Sequence, residues 1–338
     1  MARKMKAVQV PKAQGPFEIV ERDIPEPGPG QVRLAVEACG VCHSDAITKE
    51  GWMPIQYPRV PGHEVVGRID RVGPGVTAWK EGEHVGVGWH GGHCGQCEAC
   101  RVGDYVTCVV QQVCGISYDG GYAEYMVAPQ DVLARVPEGM GSEDAAPLLC
   151  AGVTTFNSLR NMGVRQGDLV AVQGIGGLGH LAIQYARKLG YRTVAISRGG
   201  DKRQLALDLG AHEYVDTERG KASEALQKLG GARVIMVTAS SSSLAGELIG
   251  GLGRNGTLLL LGAGTEPIQV HGLPMLLKRQ RVQGWPSGNP QDSQETMAFS
   301  ALAGVRSRNE SFPIDRVAEA YERMMSNRAR FRVVLKVR

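Results

Sequence analysis

Four cysteines fall within fifteen residues, Cys94, Cys97, Cys100 and Cys108, in a C-x2-C-x2-C-x7-C pattern. Four thiolates so close together make a closed tetrahedral S4 site, which suits zinc and leaves no position open for chemistry. An iron–sulfur cluster is the rival, because the first three cysteines share the bacterial ferredoxin spacing. That pattern brings its fourth cysteine after three residues and follows it with proline; here seven residues intervene and Val109 follows. Unliganded thiols at this density would oxidise or crosslink. The cluster reads as a structural zinc clamp over about residues 90–110, so the reactive centre lies elsewhere.

A second pattern is G-I-G-G-L-G, in which Gly177 and Leu178 stand between Gly176 and Gly179, and Gly174 leads. It follows the strand-like DLVAVQ directly and opens a helical run, GHLAIQYARKLG. In that context the first glycine permits a tight turn and the second lets backbone approach a pyrophosphate. The third lets helix and strand pack closely, with the anion on the helix N-terminus. This favours a dinucleotide site over a structural glycine turn. An NAD site usually places Asp or Glu at the end of the second strand to hold the ribose 2′-OH. Here that position reads Ser197-Arg198-Gly199-Gly200. Arg198 and Lys202 suit a 2′-phosphate instead, so NADP(H) is expected over NAD(H). Asp201, the only nearby acid in sequence, has Gln204 three residues on and is expected to cap a helix.

A catalytic metal needs three protein ligands and one open position. Outside the S4 cluster the candidates are Cys39, Cys42, His63, Glu64, Cys114, Cys150 and several histidines. Spacing alone does not choose among them.

The elements that must position these groups fall into three stretches. At 338 residues the chain exceeds one ordinary core. Residues 1–150 alternate short β-type runs such as QVRLAVEAC and EHVGVGW with Gly/Pro turns, predicting a β-rich domain. Residues 151–285 alternate strands and helices, as βα units of a doubly wound parallel sheet do. Residues 286–338 contain one amphipathic helix, DRVAEAYERMM, and a final strand, FRVVLKV, too little for a domain and expected to complete the first one. A net charge of +4 without a basic run gives no support for nucleic-acid or membrane-surface binding. No stretch reaches transmembrane length and the basic N-terminus lacks an apolar core of a signal peptide. Eight cysteines then point to a reducing compartment, and cytoplasm is expected.

The segments CGVCHSD, PGHEVVG, CGQCEACRVGDYVTC, GGYAEY and GIGGLG, in this order, resemble the zinc-dependent alcohol dehydrogenases of the medium-chain dehydrogenase/reductase superfamily. The likeness runs along essentially the whole chain and is nearest to the microbial and cinnamyl-alcohol-dehydrogenase-like branches. It implies a GroES-like catalytic domain, an inserted Rossmann domain and an active site in the cleft between them. It implies two zinc ions per chain, a homo-oligomer (dimer or tetramer) and a small alcohol or aldehyde as substrate.

By the same resemblance, Cys42, His63 and Cys150 correspond to catalytic zinc ligands. Glu64 corresponds to the acid beside the metal, and Asp45 to the carboxylate that takes the spare N–H of the ligand histidine. Ser44 matches the hydroxyl that accepts the substrate proton. His43 and Arg332 match positions near the cofactor pyrophosphate, and Thr154 and Leu178 positions near the nicotinamide. Trp52 and Trp89 resemble aromatics that narrow the channel in small-alcohol enzymes; core packing is the alternative. Cys39 and Cys114 match no ligand position. Where many members carry a proton-relaying histidine, five residues after the first ligand, this chain has Ile47. Trp285-Pro286 replaces the Gly-Ser common at the domain return. The expected activity is hydride transfer between NADP(H) and a primary alcohol/aldehyde pair. The alternatives are the same chemistry with NAD(H), or on a polyol or secondary alcohol, and a noncatalytic zinc- and nucleotide-binding protein.

Overall fold

Antiparallel strands with one solvated face alternate apolar and polar residues, whereas strands buried on both faces read as apolar runs. Both kinds occur here, in separate places. The computed structural model describes residues 3–239, 242–262, 264 and 266–338. The chain divides into two compact units, one running to Val153 and including Ser287–Arg338, the other Thr154–Pro286.

In the first unit β1 (Lys4–Gln9) and β2 (Glu18–Asp23) form an antiparallel ribbon. β3 (Gln31–Val41), β4 (Val65–Val72) and β5 (His84–Val87) are successive antiparallel neighbours. β6 (His90–Gly92) and β7 (Gln112–Val113) pair with each other, and the four clustered cysteines lie between them in sequence. β8 (Tyr125–Pro129) joins β3, and β9 (Leu133–Arg135) joins β5. β3 is the axis of this sheet. Its Val32, Leu34, Val36 and Cys39 are fully buried and share a core with Val65, Ile69, Tyr122 and Leu335. Each large apolar side chain so buried contributes about 1.5–3 kcal/mol.

The second unit holds β10 (Leu169–Gln173), β11 (Arg192–Ser197), β12 (Glu213–Asp216), β13 (Ala232–Val237), β14 (Leu252–Leu260) and β15 (Arg281–Gly284). All neighbours are parallel and the order is β12–β11–β10–β13–β14–β15. That is the doubly wound order, and it reverses between β10 and β13, where such sheets bind ligands. The glycine-rich loop follows β10 directly. The inserted parallel sheet expected from the βα pattern is therefore present.

The chain then returns through the helix Pro290–Ala303, β16 (Asn309–Pro313), the helix Val317–Met325 and β17 (Arg332–Lys336). β17 lies antiparallel to β3, and β16 parallel to β17. The sequence reading gave this stretch one helix and one strand; the helix Pro290–Ala303 and β16 are additional. The missed helix does carry a start signal. Asn289 and Asp292 exchange side-chain-to-backbone hydrogen bonds at 2.9 Å, and Pro290 takes the first helical position. β16 (NESFP) has no apolar alternation to announce it. The cap expected of Asp201 does not form: the helix Arg203–Asp208 has Lys202 at its N-cap, and Gln204 donates to Asp208 instead. No helix among the described residues is long and apolar enough to cross a membrane.

Candidate metal centres and nucleotide site

The short stretch Cys94–Cys108 folds back so that its four sulfurs lie within 4.8 Å of one another. Cys94 Sγ is 3.7 Å from Cys108 Sγ and 4.0 Å from Cys100 Sγ. A tetrahedron with Zn–S bonds of about 2.3 Å has edges of roughly 3.8 Å, so the set fits zinc without rearrangement. Backbone N–H groups stabilise the anionic sulfurs: Cys97 N and Gln96 N donate to Cys94 Sγ at 3.3 and 3.4 Å. Such bonds lower the Cys94 thiol and bring Cys97 down to about 6, while burial pushes Cys100 up to about 12. All four ligand positions are supplied by protein, which leaves none for substrate.

The second cluster is assembled from distant segments. β3 ends at Val41 and delivers Cys42; His63 and Glu64 precede β4, the neighbour of β3; Cys150 follows the turn Ala146–Leu149. Ligand atoms of Cys42, His63, Glu64 and Cys150 lie within 4.8 Å of one another, with the two sulfurs 3.8 Å apart. His63 and Glu64 are buried. Asp45 Oδ1 holds His63 Nδ1 at 3.0 Å, which fixes the tautomer and leaves Nε2 for the cluster. His63 Nε2 and Glu64 Oε2 have no hydrogen-bond partner among the described residues. An unsatisfied buried polar atom costs about 1–3 kcal/mol, so this donor set of two sulfurs, an imidazole nitrogen and a nearby carboxylate fits a cation.

The charges agree. The hydrogen bond from Cys150 pulls the Cys42 thiol well below its usual range and pushes Cys150 well above it. Burial opposes protonation of His63, but the Asp45 charge and hydrogen bond outweigh it and raise His63. Burial lifts Glu64 to about 7 against the pull of Arg332. Arg332, brought in by the pairing of β17 with β3, is ion-paired to Glu64 through Nη2 and reaches the Val41 carbonyl at 3.4 Å. A Cβ at Gly40 would overlap the Glu64 carboxylate, so the glycine makes room for it.

The remaining sequence candidates divide. Trp89 stands edge-on to the His63 ring, centroids 5.1 Å apart, and so borders the cluster. Trp52 is 60% exposed, its ring 6.4 Å from that of His43; it is not core packing. His43 and half-buried Ser44 share the turn that leads to Asp45. Cys39 and Cys114 are buried outside both clusters and donate weakly to the carbonyls of Gly40 and Gly62. Sequence reasoning gave no role to Tyr122, whose hydroxyl donates to Asp45 Oδ2 at 2.8 Å. Its only signal was the GGYAEY segment, quoted for resemblance alone.

In the second unit Gly174 adopts φ +92°, and a Cβ at Gly179 would collide with the Gly174 carbonyl. A Cβ at Gly176 would meet nothing, so that exposed backbone is open to an approaching ligand. Half-buried Gly177 and Leu178 complete the loop, and Leu178 is the N-cap of the helix Gly179–Lys188. Thr154 is buried in the helix Ala151–Arg160. Ser197 ends β11, and half-buried Lys202 follows the exposed Arg198. Asp201 was the only acid near in sequence, but the fold adds two. Arg198 Nε donates to Glu218 at 2.9 Å, and Asp216 Oδ1 accepts the backbone N–H groups of Gly199 and Glu218.

Comparison with known proteins adds the following. Residues 28–138 match the alcohol dehydrogenase GroES-like domain, and residues 177–301 the zinc-binding dehydrogenase domain. The alcohol dehydrogenase patD of Penicillium expansum is 47% identical over 305 residues, covering 90% of this chain and 89% of that protein. An alcohol dehydrogenase of Geobacillus stearothermophilus is 38% identical over 336 residues, covering 98% and 100%. The structure of a cinnamyl alcohol dehydrogenase from Sorghum bicolor superposes with a TM-score of 0.87 at 30% identity, covering 99% and 98%.

Proposed function

Because the chain belongs to the zinc-dependent alcohol dehydrogenases of the medium-chain dehydrogenase/reductase superfamily, we propose that it interconverts primary alcohols and aldehydes with NADP(H). It is an NAD(P)-dependent oxidoreductase; the finer reading concerns site, cofactor and substrate. Cys42, His63 and Cys150 hold the catalytic zinc, and Cys94, Cys97, Cys100 and Cys108 the structural one. The observation that carries this is the buried His63 Nε2, which has no partner among the described residues and belongs to a cluster with two sulfurs.

When bound, zinc supplies a Lewis acid for the substrate oxygen, and the nicotinamide gives or takes the hydride. The chain's own groups do the rest. Asp45 holds His63 so that Nε2 faces the cluster. Arg332 holds Glu64 beside the sulfurs, and Glu64 Oε2 has no hydrogen-bond partner among the described residues. Ser44 Oγ takes the alcohol proton in oxidation and returns it in reduction. With Ile47 one helical turn on, no histidine of that helix relays the proton further, so it leaves Ser44 through ribose or water. Trp89 walls the substrate side beside His63. The loop Gly174–Gly179 takes the pyrophosphate on its open backbone at Gly176.

Arg198 and Lys202 select the 2′-phosphate. The Arg198–Glu218 pair is an exposed one, worth at most about 1 kcal/mol, so a phosphate displaces Glu218 at little cost. The second reading, NAD(H), is favoured by that same Glu218, which already satisfies Arg198. Initial rates with NADPH and NADH on benzaldehyde, cinnamaldehyde and butanal decide between them. A preference for NADPH of roughly tenfold or more is expected from charge-assisted phosphate contacts. Equal or better rates with NADH would refute the NADP reading, and no turnover by a zinc-replete sample would refute the catalytic one.

A homo-oligomer is part of this reading. β15 is an edge strand of its sheet, and the adjoining helix Gly272–Lys278 exposes Leu273, Leu276 and Leu277. Unpaired edges and apolar patches of this kind are normally covered. A cytoplasmic location accords with eight cysteines that form no disulfide.

A further inference from the structure

A carboxylate that fixes a metal-binding imidazole must itself be fixed, because a carboxyl group free to rotate lets the ring turn with it. Asp45 is held on three sides. Its Oδ1 meets His63 Nδ1 at 3.0 Å. Its Oδ2 accepts the Cys42 backbone N–H at 2.9 Å and the Tyr122 hydroxyl at 2.8 Å. Asp45 is buried and Tyr122 completely so, and in such surroundings hydrogen bonds gain strength. Tyr122 is also tied through its backbone to the segment that delivers His63. Gly120 N donates to Val60 O at 2.8 Å, Gly121 N to Gly62 O at 3.0 Å and Tyr122 N to Pro61 O at 3.1 Å. One short segment, Gly120–Tyr122, therefore fixes the loop before His63, and its Tyr122 also fixes the carboxylate behind the ring.

We propose that Tyr122 is a positioning residue for the metal site: its hydroxyl locks Asp45, and Asp45 locks the His63 ring with Nε2 facing the cluster. This rests on the reading of Cys42, His63 and Cys150 as the metal-binding set. The rival account is that a large buried ring merely fills the core.

Tyr122→Phe separates the two, since it keeps the ring and removes only the hydroxyl. The readout is metal content of the full-length protein, followed by metal release to a chromophoric chelator. Wild-type chains should hold two metals. In Tyr122→Phe one metal should leave about 10–100-fold faster, the usual scale for lost support of a ligand, while the metal of the four-cysteine lobe leaves at its wild-type rate. Cobalt placed in the faster site should show a shifted visible band. In an Asp45→Asn background the added Tyr122→Phe should change nothing more, because the hydroxyl acts only through the carboxylate. Cys39→Ala, a packing change in the same core, should leave both release rates alone.

Release from Tyr122→Phe at the wild-type rate would overturn the proposal. So would equal acceleration at both sites together with a large drop in melting temperature, which is the behaviour of core filler. If Tyr122→Phe does not fold, 3-fluorotyrosine at position 122 keeps ring and hydroxyl and strengthens the donor. Slower release would support the lock, and unchanged release would overturn it. A wild-type chain holding only the lobe metal would overturn the metal-set reading, and the lock with it.

Discussion

The two cysteine-rich clusters contain the same chemistry in different settings. The lobe cluster is local: four thiols within fifteen residues, closed by backbone N–H groups of the same stretch. The other joins Cys42, His63 and Cys150, which are 21 (63 − 42) and 87 (150 − 63) residues apart, and it is supported by side chains. Asp45 and Tyr122 stand behind the histidine, and Arg332 behind Glu64. A site that only clamps the chain can be built from one loop. A site that must leave a position open needs rigid strands to aim its ligands and buried partners to hold them. The contrast should show in what each cluster costs when broken.

The largest effect belongs to Cys150→Ser. We expect turnover to fall to background, metal content to fall from two per chain to one, and the melting temperature to change little. Nucleotide binding, followed by quenching of protein fluorescence, should survive. Full activity in this variant would erase the functional side of the contrast.

Arg332→Met comes next. It leaves Glu64 buried without its cation, and breaking a buried pair this way costs about 3–5 kcal/mol. At roughly 2–4 °C per kcal/mol for domains of this size, thermal unfolding should shift down by about 10 °C. The corresponding change at the exposed pair, Arg198→Met, should cost less than about 1 kcal/mol. Equal losses at the two positions would show that burial is not what distinguishes them.

Cys97→Ser follows. A cross-link closing a loop of fifteen residues is worth about 3 kcal/mol in chain entropy, and a metal bridging Cys94 to Cys108 acts alike. We expect a melting temperature lower by about 6 °C, loss of one metal, and a near-normal turnover per folded chain at low temperature. A variant that loses activity without losing stability would put the lobe in the catalytic machinery instead.

The same contrast explains what could be read before the fold was known. The lobe was legible because its ligands are contiguous and their spacing alone implies a tetrahedron. The glycine loop was legible for the same reason: strand, turn and helix follow one another. The residues Cys42, His63 and Cys150 were not separable by spacing from Cys39 and Cys114; only resemblance singled them out. Their grouping depends on the β3–β4 pairing and on the turn before Cys150, both of which are tertiary. Tyr122 was out of reach, since nothing in its local sequence says that it faces Asp45 across 77 residues. Glu218 was missed likewise, because it meets Arg198 only after β12 is laid beside β11. The helix at Pro290 is different: its capping box, Asn289 to Asp292, lies wholly in the local sequence.

The smallest effect tests whether burial of a thiol is enough to make it functional. Cys39, Cys42 and Cys114 are all buried in the first unit. Burial pushes the thiols of Cys39 and Cys114 up, and no hydrogen bond of comparable strength counters it. Cys42 starts from the same burial, but the bond from Cys150 and the charges of His63 and Arg332 reverse the shift and favour the thiolate. A buried thiol therefore becomes a ligand where its neighbours stabilise the anion, and it remains a small apolar side chain where they do not. Cys114→Ala removes one sulfur and one weak bond to the Gly62 carbonyl. It should cost about 1 kcal/mol of packing, lower the melting temperature by roughly 2–4 °C, and leave two metals per chain with unchanged turnover. Loss of a metal in this variant would mean that the segment 60–62, not the ligand set alone, sets the affinity of the site, and the division between clamp and catalytic centre would have to include Cys114.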